Sequence, residues 1–455
     1  MSDLERGGKE MTLPLELTPT KAMAKDPWAD LKAPIWRAFS FETGHFLLHV
    51  PSSHVIEVPE AMVRHVRGAQ VNEDMSAELA ALARDLPVPP PRVVTPDIQA
   101  VSLNMAQGCN LRCTYCFAGE GDYGVKGMMT AQTATSALTL FSKNKDRFHV
   151  VFFGGEPMLN FGVIQEVVDW CETQTCKFSF AITTNGTLLT HEKLAWLKAK
   201  QFSMTLSYDG KGLQSRQRLN KDKQTNSEQL VERKVDTFGE QLKTLKDVVI
   251  RATVTRENLD HLEHAMVTTL TAHNFKLAVA HHATPLRAFQ FTDQDIEKLG
   301  SIFKRVVDRL VEDQDWEKLL KLDNVMKHVK SIHKGRTNLR ACGAGVNYLT
   351  VSVEGDFYLC HRFNEDQAEM YGSIAKGVDQ ERLSEVAAFR GAAKDPCKSC
   401  WIRQWCAGGC MHEHKSATGN KFDIGPMYCK LLSLEVTEAM RVYTVLQQQA
   451  PHLLD

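Results

Sequence analysis

The chain has 455 residues, with 54 Lys and Arg against 55 Asp and Glu and a formal net charge of −1. That length admits two or three domains and a sizeable core, and the charge balance gives no basic footprint for nucleic acid or a membrane surface. No run of about twenty apolar residues suggests a membrane span. The N-terminus, MSDLERGGKEMTLPLELTPTKAMAKDPW, lacks the apolar stretch of a signal peptide, so a cytoplasmic protein is expected.

Residues 1–34 are polar and are expected to be a mobile tail. Between 35 and 85, WRAFSFE and GHFLLHV alternate at period two about Thr43-Gly44, which predicts a hairpin. SHVIEV predicts a further strand and PEAMVRHVRG a helix. The stretch DLPVPPPRVVTPD, with Pro89, Pro90 and Pro91 in series, predicts a stiff linker over 86–98 and a domain boundary. From 99 to 320 the pattern changes. Apolar strands are predicted at 101–105, 149–153, 178–183, 203–207, 248–254 and 276–280, separated by helix-length stretches such as TAQTATSALTLFSKN and GVIQEVVDWCE. Six such units predict an α/β partial (β/α)6 barrel, with its site on loops at the C-terminal strand ends. Residues 321–455 form a cysteine-rich remainder.

Twelve cysteines in a reduced compartment point to metal rather than disulfides. Cys109, Cys113 and Cys116 stand in QGCNLRCTYCFAGE, directly after the first predicted barrel strand. Three thiolates at this spacing can hold three irons of a 4Fe–4S cluster and leave the fourth without a protein ligand. A partial zinc site is the competing assignment, but it needs a fourth ligand nearby, and the next cysteine is Cys171. The run resembles the signature of the radical S-adenosylmethionine enzymes. That resemblance implies that S-adenosylmethionine chelates the open iron and is cleaved by one electron to a 5′-deoxyadenosyl radical, so the trio is both metal-binding and catalytic.

The second barrel strand ends in FFGGEPMLN. Gly154 and Gly155 let backbone approach a ligand closely, and Glu156 offers a carboxylate at the barrel mouth. The string resembles the family's GGEP motif, which implies that these three residues help hold the methionine amino group. SYDG at 207–210 and Arg218 beyond it resemble contacts to the cofactor's ribose or carboxylate. Ser207 and Arg218 are the candidates; an N-cap serine and a surface arginine are the plain alternatives, and Arg251 in RATVT could serve instead of Arg218.

Seven more cysteines lie between 342 and 429, centred on CKSCWIRQWCAGGC. A zinc ribbon is one assignment, but zinc takes its ligands in fours and seven cysteines leave three over. The pattern Cys342-x12-Gly355-x4-Cys360, then the central four, then Cys429, resembles the SPASM extension of peptide-modifying radical enzymes. That resemblance implies two auxiliary 4Fe–4S clusters, one on Cys397, Cys400, Cys406 and Cys429 and the other on Cys342, Cys360 and Cys410. Sulfatase-maturing relatives carry a further cysteine shortly after the first; GAGVNYL offers none here, which implies an open iron suited to a substrate thiolate. The same relatives have a catalytic aspartate directly after the second SPASM cysteine, where this chain has His361. CHRF and the following GSIAKG are similar instead to the thioether-forming maturases.

The 35–85 module resembles small winged-helix elements that capture precursor peptides by strand addition; a capping subdomain is the alternative. The resemblance as a whole implies an enzyme that forms cysteine thioether crosslinks in a ribosomal peptide or small cysteine-rich protein. The maturation enzymes of the quinohemoprotein amine dehydrogenase small subunit are the nearest likeness, with maturases of six-cysteine peptides as competitors. Three 4Fe–4S clusters, S-adenosylmethionine and an electron donor such as flavodoxin or ferredoxin are the implied cofactors and partners. Carbon–carbon crosslinking, oxidation of a sulfatase-type residue, and a non-enzymatic electron carrier or scaffold are the alternatives. Cys171, Cys176, His281, His282, His412 and His414 are assigned structural roles, and Asp209 a turn.

Overall fold

The structure, a computed structural model, describes residues 35–69, 72–88, 94–222, 225–273, 275–281, 291–394 and 396–454. The expected tail, the three serial prolines of the linker and His282 lie outside these residues.

The N-terminal module is an antiparallel sheet of β1 (Trp36–Phe41), β2 (Gly44–His49) and β3 (His54–Glu57), in that order. The hairpin closes where Phe41 pairs with Gly44, whose φ of +138° a side chain would resist. Two helices follow, α1 (Glu60–Val66) and α2 (Glu73–Asp85), the second capped by Asn72 and not anticipated from the sequence. Period-two alternation buries both faces of the sheet in different places. Trp36 and Leu47 pack with Met62, Val63 and Leu79 in a small core, whereas Phe39, Phe46 and Leu48 join the main core. Each such buried side chain stabilises by roughly 1.5–3 kcal/mol relative to exposure.

The main sheet holds all six anticipated strands. They are β4 (Ala100–Gln107), β5 (Arg147–Gly154), β6 (Lys177–Thr184), β7 (Ser203–Ser207), β8 (Asp247–Val254) and β9 (Lys276–His281), parallel and adjacent in chain order. Every residue of β4 is buried, as a parallel strand covered on both faces requires. The helices between strands turn one apolar stripe to the sheet. In α3 (Ala131–Ser142) that stripe is Ala134, Ala137, Leu138 and Phe141, and Thr130 caps the first turn by accepting from Thr133 N at 3.0 Å. In α4 (Phe161–Glu172) it is Ile164, Val167, Val168 and Cys171. Cys171 is therefore a core residue, and Cys176 is buried in the same core.

The sheet does not stop at the barrel. β10 (Tyr348–Val351) pairs parallel with β4, Tyr348 opposite Ala100, and β11 (Asp356–Tyr358), β12 (Met370–Ser373) and β13 (Gly377–Val378) continue it antiparallel. The cysteine-rich region is thus fastened to the strand that leads into Cys109. α5 (Asp323–His333) packs on β9 and on the long C-terminal α6 (Pro426–Gln449), closing the barrel's other edge. Among the described residues no helix is long and apolar enough to cross a membrane.

Candidate active site

Cys109 follows β4 by two residues, and its loop is held by a short strand pairing and by side-chain hydrogen bonds. Leu111–Cys113 pairs antiparallel with Arg218–Asn220, Cys113 opposite Arg218. Asp209, just past β7 and fully buried, accepts from Tyr115 Oη at 2.8 Å, Gln217 Nε2 at 3.0 Å, Arg218 Nη2 at 3.0 Å and Thr253 N at 2.8 Å. It is a hub joining the cysteine loop to β7 and β8, which is more than the turn assigned to it from sequence. The Arg218 guanidinium is spent on this carboxylate and lies 5.4 Å from the Tyr115 ring. Arg218 is buried, opposite Cys113 in the strand pairing.

The glycines of the second strand end let two loops touch. A Cβ on Gly154 would stand 2.5 Å from Ala106 O, and one on Gly155 would stand 2.3 Å from both Gly108 O and Gly121 O. Gly155 N donates to Ala106 O at 2.8 Å and Glu156 N to Gly108 O at 2.9 Å, so this backbone lies directly against the start of the cysteine loop. The Glu156 carboxylate is fully buried and accepts from Met158 N (3.0 Å), Thr184 Oγ1 (2.7 Å) and Asn185 N (2.7 Å). Burial raises its pKa and those three donors oppose the rise. The carboxylate fixes the GGE backbone and the TTNG turn, and Asn185 of that turn directs its amide at Cys109 Sγ (3.7 Å).

Ser207, half-buried at the end of β7, is the register partner of Arg251 on β8. Arg251 differs from Arg218 in being unspent: no ion pair or hydrogen bond engages its guanidinium among the described residues. It faces a cavity of about 170 Å³ lined also by Ala278, Ala280, Asp323, Lys327 and Tyr428. Burial holds its pKa below the ordinary guanidinium value, with Asp323 opposing. Of the two arginines, Arg251 is the one left unengaged among the described residues, in a cavity that Lys327, Asp323 and Glu435 also line.

The seven later cysteines gather in two sets. Cys397, Cys400, Cys406 and Cys429 act on one another's thiols, as do Cys342, Cys360 and Cys410. Ala407, Gly408 and Gly409 are all left-handed, turning the chain sharply between Cys406 and Cys410, and a Cβ on Gly408 would meet Gly391 Cα at 2.4 Å. His361, next to Cys360, reaches the barrel: its ring centroid is 4.3 Å from that of Phe153 and 5.8 Å from that of Phe117. Phe153 precedes Gly154 and Phe117 follows Cys116. Tyr348 Oη approaches His361 Nδ1 at 3.5 Å. Burial, then the charges of Arg362 and Arg251, lower the His361 pKa to about 3, so its ring is neutral at physiological pH.

Whether these residues suit iron–sulfur clusters is a question of donor chemistry. Burial pushes the Cys109 and Cys113 thiols up to about 11 and about 12, with neighbouring thiols adding to the rise, so the bare set resists ionisation and a bound cation reverses that. Among the described residues no three His, Cys, Asp or Glu side chains converge on one point, as a single-ion site demands. A four-iron cluster makes no such demand, because each thiolate takes its own iron. In the wall between the trio and Cys360, Ser102, Asn104 and Tyr123 carry buried polar atoms without hydrogen bonds of ordinary geometry. The residues fit the clusters and a polar ligand beside them. Tyr123 and Asn104 escaped the sequence reading, since neither belongs to a motif.

The family description Radical SAM superfamily matches residues 103–267. A radical SAM cyclopropyl synthase, TigE of Paramaledivibacter caminithermalis, is 21% identical over 74% of this chain and 73% of its own length. An uncharacterised protein of Methanocaldococcus jannaschii is 32% identical over 110 residues, which are 24% of this chain and only 37% of that protein. Among solved structures, anSMEcpe with bound AdoMet superposes with a TM-score of 0.64 at 19% identity, over 78% of this chain and 97% of that one. SuiB of Streptococcus suis bound to its precursor peptide SuiA superposes at 0.52 and 15% identity, over 87% and 99%. The fold is that of these neighbours, and the stretch that matches the radical SAM superfamily contains the loop of Cys109, Cys113 and Cys116.

Proposed function

We propose that this protein is a radical S-adenosylmethionine maturase that joins a cysteine sulfur to a carbon of a ribosomal peptide or small cysteine-rich subunit. The observation that carries this is the Cys360-His361 dipeptide. Cys360 belongs to the set of three thiols that lacks a fourth, and His361 touches the aromatic residues flanking Cys116 and Gly154. An incomplete second set adjoining the first suits a substrate whose carbon is presented to one and whose thiol is presented to the other.

When bound, the cluster and S-adenosylmethionine supply a carbon radical strong enough to remove hydrogen from an unactivated C–H bond. Cys109, Cys113 and Cys116 would hold that cluster, and Cys342, Cys360 and Cys410 the open auxiliary one. Cys397, Cys400, Cys406 and Cys429 would complete a closed third. The Gly154-Gly155 backbone, fixed by Glu156, would face the methionine amino group, with Ser207 nearby. Arg251 supports an anionic contact better than Arg218, whose guanidinium Asp209 already occupies. The 35–85 module, whose sheet is covered on both faces, would take a leader segment along a strand edge. Flavodoxin or ferredoxin would supply electrons in a cytoplasmic setting.

The resemblance to maturases of quinohemoprotein amine dehydrogenase makes its small subunit the first substrate to try. The cyclopropyl synthase relative favours a second product, a carbon–carbon link, made with the same front site. The deciding experiment is co-expression with cysteine-rich candidates, then mass spectrometry before and after thiol alkylation. A thioether removes two hydrogens and blocks one cysteine; a carbon–carbon link removes two hydrogens and leaves every thiol reactive. Anaerobically reconstituted enzyme that releases no 5′-deoxyadenosine on reduction overturns both.

A further inference from the structure

The turns after Cys360 and Cys410 are built alike. The backbone N–H of Arg362 faces the Cys360 sulfur, and that of Glu413 faces the Cys410 sulfur. The side chains of the same two residues then pair, Arg362 Nη1 with Glu413 Oε1, at 10% and 7% side-chain exposure. A buried ion pair is expensive to desolvate and seldom a net gain in stability over apolar packing. Its location is more informative. The guanidinium also lies 5.9 Å from the ring of Phe117, the residue after Cys116. Arg362 stands two residues beyond Cys360 and Glu413 three beyond Cys410, so a buried cation and a buried anion are held beside two ligand turns that the pair ties together.

We propose that Arg362 and Glu413 form a charge clamp on the auxiliary cluster held by Cys342, Cys360 and Cys410, locking two ligand turns together and tuning that cluster's potential through opposite charges held beside its ligands. The inference rests on the assignment of those three cysteines to a cluster. Reduction adds negative charge, and a cation held nearby in a low-dielectric interior favours it. Arg362 and Glu413 are positioning residues, since neither needs to touch the substrate.

The test uses full-length protein with Cys109, Cys113 and Cys116 changed to Ala, so that only the C-terminal clusters contribute, titrated electrochemically under EPR. Arg362→Gln should lower the midpoint of one cluster signal, Glu413→Gln should raise the same signal, and the other signal should stay in place. Arg362→Lys, which keeps the charge, should load iron and leave the midpoint near that of the parent. Shifts of the same sign in the two Gln variants, no shift with clusters intact, or an equal shift in Arg362→Lys and Arg362→Gln overturns the clamp. Failure of the underlying assignment reads differently: the parent would then bind about four irons rather than about eight, and the inference falls with it.

Discussion

The two cysteine-bearing regions are built by opposite strategies. In the barrel, three thiols lie within eight residues of one loop, and a network assembled from distant strands, centred on Asp209, holds that loop. In the C-terminal region, seven thiols come from segments spread over 342–429, carried by left-handed turns, a short 3-10 piece at Cys397 and the helices that hold Cys406 and Cys429. The front loop has a shape independent of metal, because its neighbours on the sheet dictate it. The rear segments are ordered locally, by short helices such as Arg403–Cys406 and Met411–Thr418, and among the described residues no strand pairing ties 397–429 into the sheet. Where sheet pairing does not supply the order, metal binding adds to it, and ligand binding then becomes folding free energy.

Separating the two regions by their iron gives the largest effects. Changing Cys109, Cys113 and Cys116 together to Ala should reduce 5′-deoxyadenosine formation to background, remove about four irons per chain, and leave the denaturation midpoint nearly unchanged. Stripping all iron with a chelator should act on the other region. Limited proteolysis should then cut first within 397–429, while the strands β4 to β8 remain protected. Equal protection of both regions after chelation would erase the distinction.

Asp209→Asn attacks the front loop through its support. The substitution leaves Arg218 buried without its counter-charge, a change that costs about 3–5 kcal/mol in comparable buried pairs. Urea unfolding should show that loss, and S-adenosylmethionine affinity should fall with it as the Tyr115 anchor slackens. Arg251→Met is the contrast. Its guanidinium holds nothing in the protein, so stability should stay within about 0.5 kcal/mol of wild type, while S-adenosylmethionine or peptide affinity drops about tenfold, the worth of one charge-assisted hydrogen bond. A stability loss for Arg251→Met as large as that for Asp209→Asn would mean that the two arginines play the same part.

The difference between regions also explains what the sequence made legible. The six barrel strands are continuous apolar runs bounded by helices, and local pattern is enough to find them. Cys109, Cys113, Cys116, Gly154, Gly155 and Glu156 are recognisable because they are contiguous in motifs. Asp209 was not, since its four donors come from Tyr115, Gln217, Arg218 and Thr253, and only tertiary folding makes them neighbours. The same reason hid the division of labour between Arg218 and Arg251, which look equivalent until one is paired. β10 to β13 are two to four residues long, too short for a period to show. The pairing of Arg362 with Glu413 spans fifty-one positions and carries no local signal.

The smallest effect concerns acid, and His149 isolates one part of it. His149 lies in β5, its Nδ1 2.8 Å from Ser179 Oγ on the neighbouring strand. Burial, then the charge of Lys246, lowers its pKa from 6.5 to about 4. The folded value lies below the unfolded one, so between these limits the unfolded chain holds a proton that the folded chain lacks. Stability contributed by the neutral ring is complete above pH 6.5 and is lost as pH falls toward 4. The ring is only partly buried, and solvent screening leaves an effect of about 1–2 kcal/mol. His149→Gln keeps a hydrogen-bonding group opposite Ser179 and cannot take up the proton. Unfolding measured from pH 7 to pH 4.5 should therefore give a shallower decline for the variant, with the two proteins converging at the acid end. A decline of unchanged slope would place the acid sensitivity in other histidines that burial holds neutral, among them His49, His273, His328, His361 and His412.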